Sequence, residues 1–202
     1  MNKFIKILLI NSVAFSLFSG PDEDLMRESF DGNSAGIEAA IAAGAKINSV
    51  DTYGYTALIF AARNVHIDIV RLLLDRGANI NAINDSENTA LMHAAFNGHI
   101  NTVRLLLDRG ANINAVDVNG ATALMFAASC DHPDTVKLLL DRGANINATD
   151  NYGETTLNIA RLKNRVEIVK ILEETPEIKQ LVDNAIQGDS TSYQELIEKI
   201  SV

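Results

Sequence analysis

Cysteine is almost absent. Cys130 is the single one in 202 residues, so no internal disulfide and no cysteine-based zinc site can hold the chain together. Bases are scarce as well: 17 Lys and Arg stand against 26 Asp and Glu, a net charge of −9. That balance lacks the clustered cations on which phosphate-backbone binding depends, and it excludes nucleic acid as the expected partner. Signatures of catalysis are few. There is no H-E-x-x-H, no glycine-rich phosphate loop and no Cys/His pair at a known spacing, and G-x-S-x-G occurs once, at 32–36, with no second catalytic motif beside it. No enzyme activity, cofactor or metal is implied. What is abundant is apolar content: hydrophobic residues make up 47% of the chain, enough to bury a sizeable core and to exclude wholesale disorder.

A second abundance is repetition. The segment "LLLDRGANINA" occurs unchanged at 72–82, 105–115 and 138–148, with a step of 33 residues. Thr56, Thr89, Thr122 and Thr155, each in a Thr-x-Leu triplet, keep the same step, as do Gly44, Gly77, Gly110 and Gly143. A catalytic site needs one copy of its parts. A segment kept at a fixed period belongs to a solenoid, in which each unit buries its apolar face only by stacking on a like neighbour.

Each unit reads as two helices. Thr56 precedes "ALIFAAR", and its hydroxyl suits the start of a helix whose Leu58, Ala61 and Ala62 share a face. A break at Asn64-Val65-His66 leads to a second helix, "IDIVRLLLDR", with Ile69, Val70, Leu72, Leu73 and Leu74 toward the core. Gly77 is placed to end it in the left-handed conformation. The chain then extends through "ANINAIND" and turns into the next unit.

The pattern D-x-x-G-x-T-A-L…A-A…H-x-x-x-V-x-L-L-L-D-R-G-A-N-I-N-A along residues 51–172 resembles the ankyrin-repeat family. The resemblance implies an all-α solenoid of 33-residue helix-turn-helix units, joined by short β-hairpin connections and closed by helical caps. The repeats fall at 51–83, 84–116, 117–149 and 150–182, after a degenerate capping repeat at 21–50 and before a helical C-terminal cap at 183–202. The chain departs from the family's Thr-Pro-Leu-His. Ala57, Ala90, Ala123 and Thr156 replace the proline, and Ile59, Met92, Met125 and Asn158 replace the histidine, so that histidine's hydrogen bonds must be lost or replaced.

The ends differ from the middle. "MNKFIKILLINSVAFSLFSG" places Lys3 and Lys6 before an apolar run and small residues, the layout of a secretory signal peptide over residues 1–20. About 12 apolar residues span roughly 18 Å as a helix, short of a ~30 Å hydrocarbon core, so stable membrane insertion is not expected. The competing reading is an apolar helix packed on the first repeat. Ala14 and Ser16 best suit the −3 and −1 positions of a cleavage site, with Ser19 or Gly20 as alternatives; removal of residues 1–16 takes away two lysines and moves the net charge from −9 to −11. A bacterial, periplasmic or secreted protein is expected, or a cytoplasmic one if this segment is not a signal. At the other end, "LVDNAIQGDSTSYQELI" aligns with "LMRESFDGNSAGIEAAI", which motivates the C-terminal cap.

His66, His99 and His132 recur at the repeat step. Helices stacked about 10 Å apart cannot bring such a column onto one zinc ion, whose ligands lie about 2 Å away. By resemblance this histidine is a structural turn residue. His93 reads as a half-buried histidine of the stack. What varies between repeats is the hairpin tips and the ends of the first helices. By resemblance these line the concave groove on which ankyrin proteins hold partners. The candidate contact residues are Tyr53, Tyr55, Arg63, Ser86, Asn88, Phe96, Asn97, Asn119, Cys130, Tyr152 and Lys163, with the aromatics as the anchors that hot spots favour. The expected function is a monomeric scaffold for another protein. The alternatives are a structural or dimerising envelope protein, joined through Cys130 or a cap, and, last, an enzyme.

Overall fold

Threonine at the head of four of the first helices sets the local architecture. In the computed structural model, which describes residues 20–176 and residue 191, Thr56, Thr89, Thr122 and Thr155 are extended N-cap residues. Each hydroxyl accepts a hydrogen bond from the backbone N–H three residues on. The expected leader, apart from Gly20, and the expected C-terminal cap, apart from Thr191, lie outside the described residues.

Ten helices are present among the described residues. They divide into two compact units, one running to Asn79 and the other starting at Ile80. The first unit holds α1 (Pro21–Asp31), α2 (Ser34–Ala42), α3 (Ala57–Arg63) and α4 (Ile67–Asp75). The second holds α5 (Ala90–Phe96), α6 (Ile100–Asp108), α7 (Ala123–Ser129), α8 (Pro133–Asp141), α9 (Thr156–Leu162) and α10 (Val166–Glu173). Within each unit, first helices pack on first helices and second on second: α1 on α3 and α2 on α4, then α5 on α7 on α9 and α6 on α8 on α10. The fold is an all-α repeat solenoid. The hairpin connections of the second unit are closed by single antiparallel bridges, Ile83 to Thr89, Val116 to Thr122 and Thr149 to Thr155. No longer strand forms among the described residues.

The core follows the repeat. Leu58, Leu73, Leu91, Leu106, Leu124 and Leu139 are fully buried, and paired alanines such as Ala94 and Ala95 let neighbouring first helices approach closely. The leucine run is not uniform, however. Leu73 is buried while Leu72 and Leu74 are only half-buried, so the core stripe of α4 is narrower than the apolar sequence. After α4, α6 and α8 comes a glycine at positive φ, +86° at Gly77, +87° at Gly110 and +84° at Gly143, whereas α10 ends at Glu174 without one. The N–H of Gly110 donates to the carbonyl of Leu107, and that of Ala111 to Leu106, both at 3.0 Å. This is the Schellman closure, which satisfies carbonyls the helix leaves unpaired.

The "ANIN" that follows forms a ladder. The Asn48 side chain accepts from the Asn79 N–H at 2.7 Å, Asn81 from Asn112 at 2.8 Å, and Asn114 from Asn145 at 2.9 Å. Each side-chain carbonyl therefore reaches the backbone of the next repeat. The arginine before the glycine reaches a carboxylate of the preceding repeat: Arg76 pairs with Glu38, and Arg142 with Asp108 at 2.6 Å. Identity between the copies reflects identical contacts on either side.

The histidine column has the same logic. His66 Nε2 lies 3.0 Å from the Phe30 carbonyl, and His132 Nε2 lies 2.9 Å from that of Phe96. In the last pair Arg165 takes the place of histidine and donates to the Ser129 carbonyl at 3.1 and 3.2 Å. These side chains satisfy the exposed carbonyl end of the preceding first helix. His93 is half-buried on α5. Where the family histidine of Thr-Pro-Leu-His is absent, sulfur partly substitutes: Met92 Sδ accepts from the Thr89 N–H at 3.4 Å, and Met125 Sδ from the Thr122 N–H at 3.5 Å. One hydrogen bond at the helix cap is thus supplied by sulfur in each of these two repeats.

Candidate protein-interaction face

Each hairpin tip is held by one side-chain oxygen. Asp51 Oδ1 accepts from the N–H groups of Tyr53 and Tyr55 at 2.8 and 2.9 Å. Asn84 does so for Ser86 and Asn88 at 3.0 and 2.9 Å. Asp117 serves Asn119 and Ala121 at 2.9 and 2.8 Å, and Asp150 serves Tyr152 and Glu154 at 2.9 Å each. Such Asx turns need only backbone N–H groups from the tip, so the tip side chains are free to vary. The sequence reading overlooked these organisers, although Asp51, Asn84, Asp117 and Asp150 keep the repeat step.

In the first unit, Tyr53 is 68% exposed on its tip and Arg63 is exposed at the end of α3. Tyr55 behaves differently. It is half-buried and stacks on Phe60 with ring centroids 5.2 Å apart, while Phe60 meets Phe30 edge-on at 6.1 Å. Its ring packs against the first helix instead of standing free.

In the second unit the tips are sewn to one another. The Val118 N–H donates to the Ser86 carbonyl at 3.2 Å, and the Asn151 N–H to the Asn119 carbonyl at 2.8 Å. The Asn151 amide adds a bond to the Val118 carbonyl at 3.1 Å. Ser86, Asn119 and Tyr152 therefore stand on successive tips of one continuous edge, all exposed, with Asn88 half-buried beside them. At the ends of the first helices, Phe96 and Lys163 are exposed while Asn97 and Cys130 are half-buried. Phe96 meets Phe126 edge-on at 6.1 Å, and the Asn97 amide donates back to the His93 carbonyl at 2.9 Å. Burial pushes the Cys130 thiol up, against the opposing pull of Arg165 and Lys163. Apolar residues that the sequence reading did not select also stand exposed: Val65 in the first unit, and Ile83, Val116, Leu162 and Val166 in the second.

The described residues contain no group of three or more His, Cys, Asp or Glu able to hold a metal. No described helix is long and apolar enough to cross a membrane.

Stacked helix pairs, threonine caps and glycine closures at a constant step have a counterpart among known families. A family model of ankyrin repeats in three copies matches residues 25–117 and 114–183. The chain belongs to the ankyrin-repeat family. Ankyrin repeats generally mediate protein–protein interaction and are typically non-enzymatic modules. Comparison with the curated proteins gives no match. In this ankyrin chain the variable tips and helix ends, not the repeated ladder, are the parts whose side chains the stack leaves unused.

Proposed function

We propose that this ankyrin protein is an exported scaffold that binds a partner protein through its hairpin tips and first-helix ends, without chemistry of its own. The observation that carries the reading is the division of labour within each repeat. The Asx turn organises the tip from one residue and leaves Tyr53 and Tyr152 exposed, while Tyr55 and Asn151 do spend their side chains on packing. Tyr53 and Tyr152 stand in solution at equivalent positions, and large exposed aromatics are the residue type that dominates interface energetics. Export is supported by the Lys–apolar–small order of residues 1–20. A dimer bridged through Cys130 is the weaker reading, because that thiol is half-buried and its ionisation is disfavoured.

The test begins with affinity capture on the processed protein and mass spectrometry of what is retained. A Tyr53→Ala, Phe96→Ala, Tyr152→Ala protein is then compared with the parent for the captured partner. Each anchor is expected to contribute about 1–2 kcal/mol, so the triple change weakens binding about a hundredfold or more with the helical circular dichroism intact. A folded triple variant that binds as the parent does would place the interaction on the second helices or beyond residue 176.

A further inference from the structure

The hairpin edge of the second unit has a one-sided chemistry. Its three tips, residues 83–88, 116–121 and 149–154, contain no Lys, Arg or His. They carry exposed Ile83, Val116, Val118 and Tyr152, the last 78% exposed. Interleaved with these are Asp85, Glu87, Asp117, Asp150 and Glu154. Two of the five acids are engaged: Asp117 and Asp150 each take two backbone N–H groups of their own turn. Asp85 and Glu87 stand exposed on the first tip. On the third, Glu154 Oε2 is buried with no hydrogen-bond partner. A carboxylate oxygen removed from water and left unpaired is costly until a donor reaches it. Three arginines elsewhere in the unit have other partners: Arg142 has Asp108, Arg161 has Glu173, and Arg165 has the Ser129 carbonyl.

We propose that this edge docks an extended segment of the partner protein that carries Arg or Lys together with apolar side chains. The proposal rests on the reading of the hairpin tips as a partner face and names the chemistry of what they hold. The order along the edge is acidic tip, apolar tip, then aromatic and acidic tip. A basic side chain meets Asp85 and Glu87, apolar ones lie against Val116 and Val118, and a second basic group meets the half-exposed Glu154 on the third tip. Charge-assisted hydrogen bonds at the two ends fix the register, and the apolar middle supplies buried area. An anionic partner, such as nucleic acid or an acidic lipid surface, meets like charge at both ends.

Glu87 sharpens the case. Its φ is +59°, where the equivalent residue of the other hairpins is Gly54, Gly120 or Gly153. A glycine there would relax the turn, so the carboxylate is present despite its backbone strain.

The experiment uses the full chain and a random dodecapeptide phage library as probe, with selected peptides resynthesised and titrated. Selected peptides are expected to combine Arg or Lys with Leu, Ile or an aromatic. They should lose affinity about tenfold or more against an Asp85→Lys, Glu87→Lys protein, and as salt rises from about 0.05 to about 0.5 M. Glu87→Gly is expected to melt at a higher temperature than the parent yet bind these peptides more weakly, a combination that a purely structural role does not produce. Three results overturn the proposal: no enrichment, selected peptides without basic residues, or basic peptides that bind the lysine variant as well as the parent. The first two leave the wider reading to Val118→Ser and Tyr152→Ala. Peptides without basic residues that lose binding to those variants keep the hairpin face as a partner site and remove only its preference for positive charge. A captured partner that binds every tip variant equally removes the hairpin face itself.

Discussion

Two parts of each repeat follow opposite rules. The end of the second helix and the loop after it are copied without change in three repeats, whereas the hairpin tip and the end of the first helix differ from repeat to repeat. The copied part makes its contacts with the neighbouring repeat through side chains: Leu106 and Leu139 in the core, Asn114 to the Asn145 N–H, and Arg142 to Asp108. The variable part makes its contacts mainly through backbone. Tip N–H groups go to one aspartate or asparagine, and two of the three tip-to-tip bonds run from backbone to backbone, the third from the Asn151 amide to the Val118 carbonyl. A side chain used by the stack is held constant by the stack. A side chain not so used is available to a partner.

The contrast can be broken most severely in the core. Leu106→Ala, at a residue with no exposed surface, is expected to destabilise the protein by about 2–5 kcal/mol. A denaturation midpoint that does not move would show that the leucine run is not the stacking surface. The helix closure comes next. Gly110 has φ +87° and open space where a Cβ would sit, so Gly110→Val isolates the backbone penalty, expected at about 2 kcal/mol. A variant as stable as the parent would mean that the turn relaxes to an ordinary conformation without loss. The ladder should show a smaller effect: Asn114→Ala removes an exposed hydrogen bond, worth about 1 kcal/mol. An unchanged midpoint there would assign the repeated asparagines to something other than stability. Tyr152→Ala should be the quietest, within about 0.5 kcal/mol of the parent. A larger loss would show the tip to be part of the stack and would erase the distinction.

Much of the fold was legible because its signals are local. Threonine before an apolar run reads as an N-cap, since the hydroxyl needs only the N–H three residues on. Glycine after a leucine run reads as a helix end, since only glycine enters the left-handed region without strain. Tyr55 shows the limit of this kind of reading. In sequence it is an aromatic on a variable tip like Tyr53, and the structure packs it on Phe60. Nothing in the spacing distinguishes the two, because burial depends on which ring lies across the turn.

The sequence by itself determined the period, the starts of the threonine-capped helices, the glycine ends of the second helices and the presence of a stacked leucine run, because each follows from backbone requirements or from the need of a repeated apolar face for a like one; packing chose Leu73 over Leu72 and Leu74 as the buried one. Tertiary structure alone decided three further things. It paired His66 and His132 with carbonyls 36 residues earlier in the chain. It let methionine sulfur accept the hydrogen bonds at Thr89 and Thr122. It left one oxygen of Glu154 buried without a donor. Each depends on the distance between atoms that are far apart in sequence or flexible in side chain, and residue order carries no such distance until the helices have packed.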